Sequence, residues 1–471
     1  MRLDELGAKS ILILGFGTEG QATYEFLRQK WPSKPLSIAD QRAITEFPED
    51  VAHRIQNDPA LTLKFGPAYL ESIDRENCGV IIKTPGIPAS LGPIMEARNA
   101  ACILTSHSQI FLSNYPRKKI IGVTGTKGKS TTTSLIYQIL RHAGLPAELV
   151  GNIGQPPLAK LTHLREESYF VHEFSSHQLA EIQSSPHIAV LLNIVPEHLD
   201  YYSTFAEYAA AKENITRFQT EDDFLVFNAD YPIPNAIAER TKAALRPFST
   251  QRRVSPGCHL RDETIIWSAS DREDRVLGID DVPLPGRFNI QNVMAAVAAA
   301  SLCGVQAVAI RNAVKVFHAL PHRLEPVGTY NGVTFYDDSI ATVPVATLAA
   351  LEALGHNVQT LILGGHERNL DFSELGTRLP AHVKTVILFP STGRRIWEAI
   401  ELHSKNSSLP EPFFADTMEQ AVKIAYVRTH EGNTCLLSPA SPSFGMFKDY
   451  RERGESYKAW VRSLSNSGGI R

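Results

Sequence analysis

The 471-residue chain is 43% hydrophobic and 21% charged, a balance typical of a folded globular protein with an ample core. Its formal net charge of −3 gives no support to nucleic-acid binding. No apolar run approaches the ~20 residues that cross a bilayer. At ~150 residues per domain, we expect about three domains.

The cysteines and the two ends of the chain bear on its location. There are five widely spaced cysteines: Cys78, Cys102, Cys258, Cys303 and Cys435. Neither a disulfide framework nor a metal site has this odd number and spacing, and the charged first ten residues lack a secretory apolar stretch. These features predict a cytoplasmic protein. The last residues, 465–471, are expected to form a disordered tail.

The first segment carries a glycine pattern after an apolar strand at residues 10–14. The pattern GFGTEG begins at Gly15, and a second strand at residues 36–39 ends at Asp40. GxGxxG with an acid about 20 residues on is the dinucleotide fingerprint. Any nucleotide diphosphate can bind such a loop, and no hydride-transfer site lies nearby. We therefore predict a Rossmann-like domain over residues 1–116 that binds a nucleotide-linked substrate. In the alternative, the glycines only close tight turns.

A third strand of this segment, Val80–Lys83, leads into the rigid turn Thr84-Pro85-Gly86. Ligands of open α/β sheets bind at the carboxyl ends of the strands. The turn is therefore a candidate part of the same substrate site.

The stretch GVTGTKGKST, residues 122–131, follows an apolar strand at 119–123 and precedes a segment with apolar residues at helical spacing. Strand, glycine loop, Lys-Ser and helix together are the layout of a phosphate-binding P-loop. Backbone N–H groups and the helix N-terminus would hold phosphate oxygens. Lys129 would reach the β- and γ-phosphates, and the Ser130 hydroxyl would bind Mg²⁺. The alternative is a plain strand-to-helix turn with an exposed lysine.

Three further residues of the middle segment have open roles. Glu173 follows a strand at residues 169–172, where a nucleotidase places a Mg²⁺ ligand, although it could be a solvated loop glutamate. His198 follows a strand at 188–194 and could bind metal or merely cap a turn. Lys212 lies in a predicted helix at 205–215, where a lysine usually faces solvent.

The last segment alternates strands with helical stretches. Strands are predicted at residues 333–336, 360–363, 385–389 and 434–438, with helices at 345–354 and 418–429. This alternation predicts a second Rossmann-like domain, over residues 321–471. The fold class is therefore α/β with three domains. A central P-loop ATPase domain with a mainly parallel sheet, residues 117–320, lies between the two Rossmann-like domains.

The motifs resemble, in order, those of the Mur ligases of peptidoglycan synthesis. The shared motifs are GVTGTKGKST, GNIG, HEFSSHQL, NIVPEHLDYY, YAAAKENI, GRFNIQN and LPHRLE. The N-terminal GxGxxG and the late YDDSIAT, LGGHERNLDFS and LSPASPSFGMFKDYRERG narrow the resemblance to the members that add glutamate, usually D-glutamate, to UDP-N-acetylmuramoyl-L-alanine. The resemblance covers nearly the whole chain. It implies an ATP-dependent ligase that acts as a monomer on small molecules. Neither nucleic acid nor a membrane is expected as a partner.

The resemblance also implies roles for individual residues. The catalytic group is Lys129, Glu173, His198 and Lys212. Two Mg²⁺ ions would be bound by Ser130, Glu173, His198 and Lys212, with Lys212 carried as a carbamate. ATP would be bound by Gly125, Thr126, Lys127, Gly128, Lys129, Ser130, Thr131, Asn292, Arg323 and Asp338. The UDP-linked substrate would be bound by Gly15, Gly17, Thr18, Asp40, Thr84, Pro85, Gly86, Asn152 and Ser175. The amino acid would be bound by Thr342, Arg368, Ser443 and Tyr450.

The amino-acid site departs from the family pattern. The D-glutamate enzymes often have lysine where this chain has Ile340 and Arg368, and phenylalanine where it has Tyr450. An arginine at position 368 partly compensates, because a guanidinium binds a carboxylate bidentately. The chirality and identity of the amino acid therefore stay open, and an L-glutamate-adding ligase is an alternative. A folylpolyglutamate synthase, an NAD-dependent dehydrogenase and a P-loop switch are further alternatives.

Overall fold

The computed structural model describes residues 1–73, 79–162, 164, 167–197, 201–269, 272–405 and 408–466. The chain forms two compact units, Met1–Val282 with Ile290–Val316, and Pro283–Asn289 with Phe317–Arg471. The described residues form three β-sheets of five, nine and six strands. The predicted α/β class with mainly parallel sheets is thus confirmed. The domain divisions at residues 116 and 320 stay predictions.

The first sheet belongs to the first unit. Its strands are β1 Ile11–Leu14, β2 Leu36–Asp40, β3 Leu61–Phe65, β4 Val80–Lys83 and β5 Ile103–Ser106. The accompanying helices are α1 Leu3–Gly7, α2 Thr18–Lys30, α3 Glu49–Gln56, α4 Gly92–Asn99 and α5 His107–Asn114. The strands are all parallel, in the order β3-β2-β1-β4-β5. Because β1 and β4 are neighbours, the loops that follow them, at Gly15 and Thr84, meet at one edge of the sheet.

The second sheet also belongs to the first unit. Its strands are β6 Ile120–Thr124, β7 Ala147–Gly151, β8 Tyr169–Glu173, β9 Ile188–Leu191, β10 Phe224–Asn228, β11 Ala244–Ser249, β12 Gly257–Arg261, β13 Thr264–Ser268 and β14 Glu273–Gly278. The helices that follow in this part of the chain are α6 Lys129–His142, α7 Pro157–Leu161, α8 Ser176–Leu179, α9 Phe205–Arg217, α10 Pro232–Ala238, α11 Arg287–Leu302 and α12 Ala307–Lys315. The order is β14-β13-β12-β11-β10-β9-β6-β8-β7, and only the pairs β12–β13 and β13–β14 are antiparallel.

Strand β6, which leads into the glycine loop, lies inside this sheet between β8 and β9. All five of its residues are buried, which explains its continuous apolar run. Helix α6 buries Leu135, Ile136, Ile139 and Leu140, the apolar residues at helical spacing in the sequence. Strand β9 ends at Leu191 rather than at residue 194 as predicted, because the carbonyl of Asn193 accepts a hydrogen bond from the glycine loop instead of a strand.

The third sheet belongs to the second unit. Its strands are β15 Glu325–Tyr330, β16 Val333–Asp337, β17 Val358–Gly364, β18 Thr385–Phe389, β19 Glu411–Phe414 and β20 Thr434–Leu437. The helices are α13 Pro344–Leu354, α14 Ser373–Arg378, α15 Gly393–His403, α16 Met418–Arg428 and α17 Tyr450–Asn466. The order is β15-β16-β20-β17-β18-β19, with β15 antiparallel and the other strands parallel.

Some of the predictions about the chain as a whole can be compared with the structure. None of Cys102, Cys258, Cys303 and Cys435 is in a disulfide, whereas Cys78 lies outside the described residues. In the described part of the chain, no helix has both the length and the apolar character needed to cross a membrane. Helix α17 continues to Asn466, so the predicted tail begins too early at residue 465. Residues 467–471 lie outside the described ranges.

Two glycines of the first loop provide a matched pair of substitutions. A Cβ on Gly20 would lie 2.1 Å from the carbonyl oxygen of Gly15, whereas a Cβ on Gly17 would meet nothing within 4 Å. We expect Gly20→Ala to lower the free energy of unfolding by about 1–3 kcal/mol through overpacking. Gly17→Ala has room for its methyl group and loses only the mild preference for glycine at the N-cap of α2, so it should cost less than about 1 kcal/mol. Urea denaturation of both variants measures the difference, and equal stabilities would contradict this packing of α2 against the loop.

Candidate functional site

The glycine loop between β6 and α6 has a backbone that only small residues allow. Gly128, which precedes α6, has φ 87°, and a Cβ there would lie 2.2 Å from Oδ1 of Asn292. A Cβ on Gly125 would lie 2.8 Å from Cβ of Leu192. The glycines therefore let Asn292 and Leu192 lie close to the loop, which leads into the N-terminus of a 14-residue helix, where backbone N–H groups favour an anion.

The chain after β9 supports this loop from one side. Thr126 N–H donates to the carbonyl oxygen of Asn193 (2.6 Å), and Lys127 N–H donates to the Asn193 side-chain oxygen (3.0 Å). The Thr126 hydroxyl lies 3.1 Å from the hydroxyl of Tyr208 on α9. The ammonium of Lys127 points outward and pairs with Glu197 at 2.6 Å. We did not predict the supporting roles of Asn193 and Tyr208, although both lie in motifs recognised in the sequence. The four-residue spacing of Tyr208 and Lys212 could have placed both on one helix face.

Two lysine ammoniums meet at one carbonyl oxygen of the loop. Lys129 Nζ donates to the Gly125 carbonyl at 3.0 Å and to the Thr126 carbonyl at 2.9 Å. Lys212 Nζ donates to the same Gly125 carbonyl at 2.8 Å. The structure thus brings together two of the predicted catalytic residues, which are 83 positions apart along the chain.

Lys212 is buried rather than on a solvated helix face. Its exposed fraction is 1%, and its ammonium lies 4.8 Å from the centre of the Tyr208 ring. Burial, and then the positive charge of Lys129, lower the pKa of Lys212 well below its usual range. A site with this charge arrangement favours an anion beside the two lysines.

Glu173 ends strand β8, next to β6, and is 1% exposed. Its Oε1 accepts a hydrogen bond from the Asn152 amide at 3.0 Å, whereas its buried Oε2 has no hydrogen-bond partner among the residues that the structure describes. A buried carboxylate oxygen without a donor is a suitable ligand for a hard cation such as Mg²⁺. Ser130, the second residue of α6, is half-buried. These groups fit a bound Mg²⁺, and His198, the other predicted ligand, lies outside the described residues.

Two of the remaining predicted ATP-binding residues of the first unit support the loop from its helix side. Thr131 is buried in the first turn of α6. Asn292 accepts a hydrogen bond from the Thr132 hydroxyl at 3.3 Å, and it contacts the loop at Gly128.

Seven of the nine predicted residues for the UDP-linked substrate lie on three neighbouring segments of the first unit, and Asp40 and Asn152 lie on two others. Gly15 has φ 92°, and a Cβ there would lie 2.0 Å from the Thr84 hydroxyl, so the first loop contacts the turn that holds Pro85 and Gly86. Gly17 and Thr18 begin α2. On the third segment, Ser175 caps α8 by accepting a hydrogen bond from Gln178 N–H.

Asp40 already has protein partners. Its carboxylate accepts hydrogen bonds from Phe16 N–H (2.6 Å) and from the Arg42 guanidinium (3.1 and 3.2 Å). Burial alone would raise the pKa of Asp40, but these donors hold it below its usual value. Asp40 therefore fixes the first loop. We did not predict Arg42, which carries a positive charge at this position.

The second unit holds the other predicted ATP-binding residues and the amino-acid-binding residues. Asp338 accepts hydrogen bonds from Leu324 N–H (3.2 Å) and the Ser438 hydroxyl (2.9 Å). Arg323, which precedes Leu324 in the sequence, is half-buried. Burial raises the pKa of Asp338 to about 7. The amino-acid candidates differ in exposure: Ser443 is buried, Thr342 and Tyr450 are half-buried, and Arg368 is exposed.

Arg453 joins two of these segments, and the sequence analysis did not identify it. Its buried guanidinium donates to the hydroxyl and carbonyl of Ser339 (2.9 and 2.8 Å) and to the carbonyl of Ser441 (3.0 Å). Burial lowers the pKa of Arg453 to about 10. Arg453 thus connects the segment that precedes Thr342 to the segment that precedes Ser443.

Comparisons with known proteins show which family the chain is similar to. The family model of the Mur ligase middle domain matches residues 123–300, and that of the Mur ligase, glutamate ligase domain matches residues 322–441. The UDP-N-acetylmuramoylalanine–D-glutamate ligase of Symbiobacterium thermophilum is 38% identical, over 96% of this chain and 98% of that protein. The ligase of the same name from a Thermoanaerobacter species is 32% identical over 98% and 99%.

The fold is also similar to that of a solved structure. The crystal structure of the MurF ligase of Thermotoga maritima in complex with ADP aligns with a TM-score of 0.57 at 17% sequence identity, covering 97% of this chain and 96% of that one. Together with the near-full-length identities, these matches settle the class of protein. The chain belongs to the Mur ligase family, whose members are ATP-dependent amide ligases.

The raised pKa of Asp338 gives a pH-dependent stability. Its folded-state pKa of about 7 lies above the usual 3.8, so the folded state favours the protonated acid. This stabilisation is fully present below about pH 4 and is lost as the pH rises through about 7. It amounts to at most about 4 kcal/mol, at 1.36 kcal/mol per unit.

Asp338→Asn removes this titration. We expect the stability of the original protein, relative to Asp338→Asn, to fall as the pH rises from about 5 to about 8, as measured by urea denaturation. A difference that stays constant over this range would contradict the burial of an uncharged Asp338.

Proposed function

We propose that this ligase adds glutamate, in the D form, to the L-alanyl carboxylate of UDP-N-acetylmuramoyl-L-alanine at the expense of ATP. The observation that carries the proposal is that the side chains of Lys129 and Lys212 both donate a hydrogen bond to the Gly125 carbonyl oxygen of the glycine loop. The D-glutamate ligases to which the chain is similar over nearly its full length support this choice of reaction.

The reaction needs ATP because a carboxylate is a poor electrophile and does not condense with an amine in water. Transfer of the γ-phosphoryl group to the alanyl carboxylate forms an acyl phosphate and releases ADP. The amino group of glutamate then attacks the acyl carbon, and inorganic phosphate leaves as the amide bond forms. Most of the catalysis is positioning of the substrates and stabilisation of charge.

The glycine loop binds the phosphates in this proposal. Backbone N–H groups of residues 125–131 and the N-terminus of α6 donate to phosphate oxygens. Lys129 turns from the loop carbonyls to the β- and γ-phosphates, so its ammonium stabilises the charge of the transferring group.

The metal sites use Ser130, Glu173, His198 and Lys212. Mg²⁺ bound there would neutralise phosphate charge. The buried Oε2 of Glu173, which no described residue hydrogen-bonds, supports its assignment as a ligand. Burial and the lowered pKa support a neutral Lys212 amine, the form that reacts with CO₂ to give a carbamate. A carbamate supplies oxygen ligands, and its negative charge removes the repulsion with Lys129.

The remaining substrates follow the proposed roles of the other residues. The UDP-linked substrate binds at the first loop, the turn at residues 84–86, Asn152 and Ser175. Glutamate binds through Thr342, Arg368, Ser443 and Tyr450, where the planar guanidinium of Arg368 suits a side-chain carboxylate. The protein works as a cytoplasmic monomer on these small molecules, without nucleic acid or membrane.

The two lysines of the glycine loop separate phosphate transfer from loop structure. Lys129→Ala should lower substrate-dependent phosphate release by about 100- to 1,000-fold, because it removes the cation that stabilises transferring charge. Lys127→Ala is the matched control, since we assign its backbone N–H rather than its side chain to the phosphates. Its ammonium pairs with Glu197 at the surface, and the effect of the substitution should stay below about tenfold. Near-normal ligation by Lys129→Ala would contradict the proposed phosphate site.

The choice of amino acid is tested by phosphate release with UDP-N-acetylmuramoyl-L-alanine and parallel D-glutamate, L-glutamate, D-aspartate and D-glutamine. We expect D-glutamate to give the highest kcat/KM. We expect Arg368→Lys to keep activity and Arg368→Met to raise the KM for glutamate about tenfold or more, through loss of a charge-assisted contact. A preference for L-glutamate would instead assign the departure at Ile340 to a change in chirality.

A further inference from the structure

Two buried contacts join three of the segments that we assign to the UDP-linked substrate, and none of the four residues involved has a role in the proposed site. One contact pairs Lys83 at the end of β4 with Glu181 after α8, at 2.8 Å. The other joins the Gln178 amide on α8 to the carboxylate of Glu19 on α2, at 2.5 Å. All of these elements belong to the first unit.

Lys83 closes the turn that follows it. The side chain is 1% exposed, and its ammonium donates to the carbonyl oxygens of Thr84 and Ile87 as well as to Glu181. An ammonium has three N–H donors, so these three partners use all of them. The conformation of the turn at residues 84–87 and its attachment to Glu181 therefore depend on one side chain.

Glu181 connects this turn to the segment that begins at Ser175. Its side chain is 14% exposed; burial raises its pKa, and the charge of Lys83 opposes that rise. Gln178 of α8 and its N-cap residue Ser175 form two reciprocal hydrogen bonds. Gln178 N–H donates to the Ser175 hydroxyl, and Ser175 N–H donates to the Gln178 side-chain oxygen. Gln178 also donates a hydrogen bond to Glu19, whose second carboxylate oxygen is buried and has no hydrogen-bond partner within the described ranges.

A buried ion pair is weak evidence for stability, because desolvation of the two charges offsets much of their attraction. Here both charges lie where three protein segments that we assign to substrate binding meet. We propose that Lys83 is a positioning residue for the UDP-linked substrate, which holds the turn at residues 84–86 against the Ser175 segment through its ion pair with Glu181. This inference rests on the proposed function and extends it to a residue outside the predicted site.

The test compares KM values for the three substrates. Lys83→Met and Glu181→Gln should each raise the KM for UDP-N-acetylmuramoyl-L-alanine about tenfold or more. The KM for ATP and kcat should change by less than about threefold. The matched control is Arg54→Met, which breaks an exposed ion pair with Glu25 in the same unit and should leave every constant unchanged.

A double variant separates positioning from stability. Lys83→Met alone leaves the Glu181 carboxylate buried and unpaired, which should lower thermal stability, whereas Lys83→Met with Glu181→Leu removes that buried charge. We expect the double variant to regain stability and to keep the raised KM. Recovery of the original KM together with stability would overturn the positioning role, as would single variants with an unchanged KM.

Calorimetric binding of UDP-N-acetylmuramoyl-L-alanine, without ATP or glutamate, distinguishes failure of this inference from failure of the proposed function. Binding to the original protein with at least about tenfold weaker binding to Lys83→Met supports the inference. Equal binding to both proteins overturns the inference alone. No binding to the original protein overturns the proposed function, and the inference with it.

Discussion

The carbonyl oxygen of Gly125 accepts hydrogen bonds from two ammoniums, Lys129 at 3.0 Å and Lys212 at 2.8 Å. Burial, and then the positive charge of Lys129, lower the pKa of Lys212, because a second positive charge at this buried oxygen is unfavourable without a compensating anion. A polyphosphate or a carbamate supplies the missing negative charge. The candidate site therefore depends on a charge arrangement that an anionic ligand completes.

This arrangement depends in turn on the sheet that carries it. Strand β6 lies between β8 and β9, so the glycine loop, Glu173 and Asn193 meet at the carboxyl edge of three adjacent parallel strands. Helix α9 then brings Tyr208 and Lys212 to the loop. The residues that contact the loop, Asn193, Tyr208 and Lys212, are far from it along the chain. A substitution at any of them would therefore change the contacts of the loop while the sequence of the loop stays the same.

Much of the fold could be predicted because parallel strands buried on both faces have continuous apolar sequences. Strands β4 and β18 have the bounds that we predicted, and β1, β2 and β16 differ by one residue. We made no strand prediction for the region of β10–β14. The strand pairs at the end of that sheet are antiparallel, and polar residues such as Arg261 and Glu273 interrupt their apolar pattern. Their place in the sheet is decided by pairing with neighbouring strands rather than by local sequence.

The same limit applied to the site. The sequence placed Glu173 at the end of a strand and Lys129 at the start of the helix after the glycine loop. It could not show that Lys212 is buried or that Asp40 accepts hydrogen bonds from Arg42. Burial of a lysine and the choice of partner for a carboxylate depend on residues far along the chain. Arg453 and Lys83 were not predicted for this reason, since a sequence pattern does not show which backbone carbonyls a side chain will contact.

The most direct test of this account is a crystal structure of the protein with Mg²⁺ and a non-hydrolysable ATP analogue. We expect the triphosphate to lie against the backbone of residues 125–131, with Lys129 Nζ moved from the loop carbonyls to the β- and γ-phosphates. A triphosphate bound instead at the Gly15 loop, with Lys129 still on the Gly125 carbonyl, would contradict it.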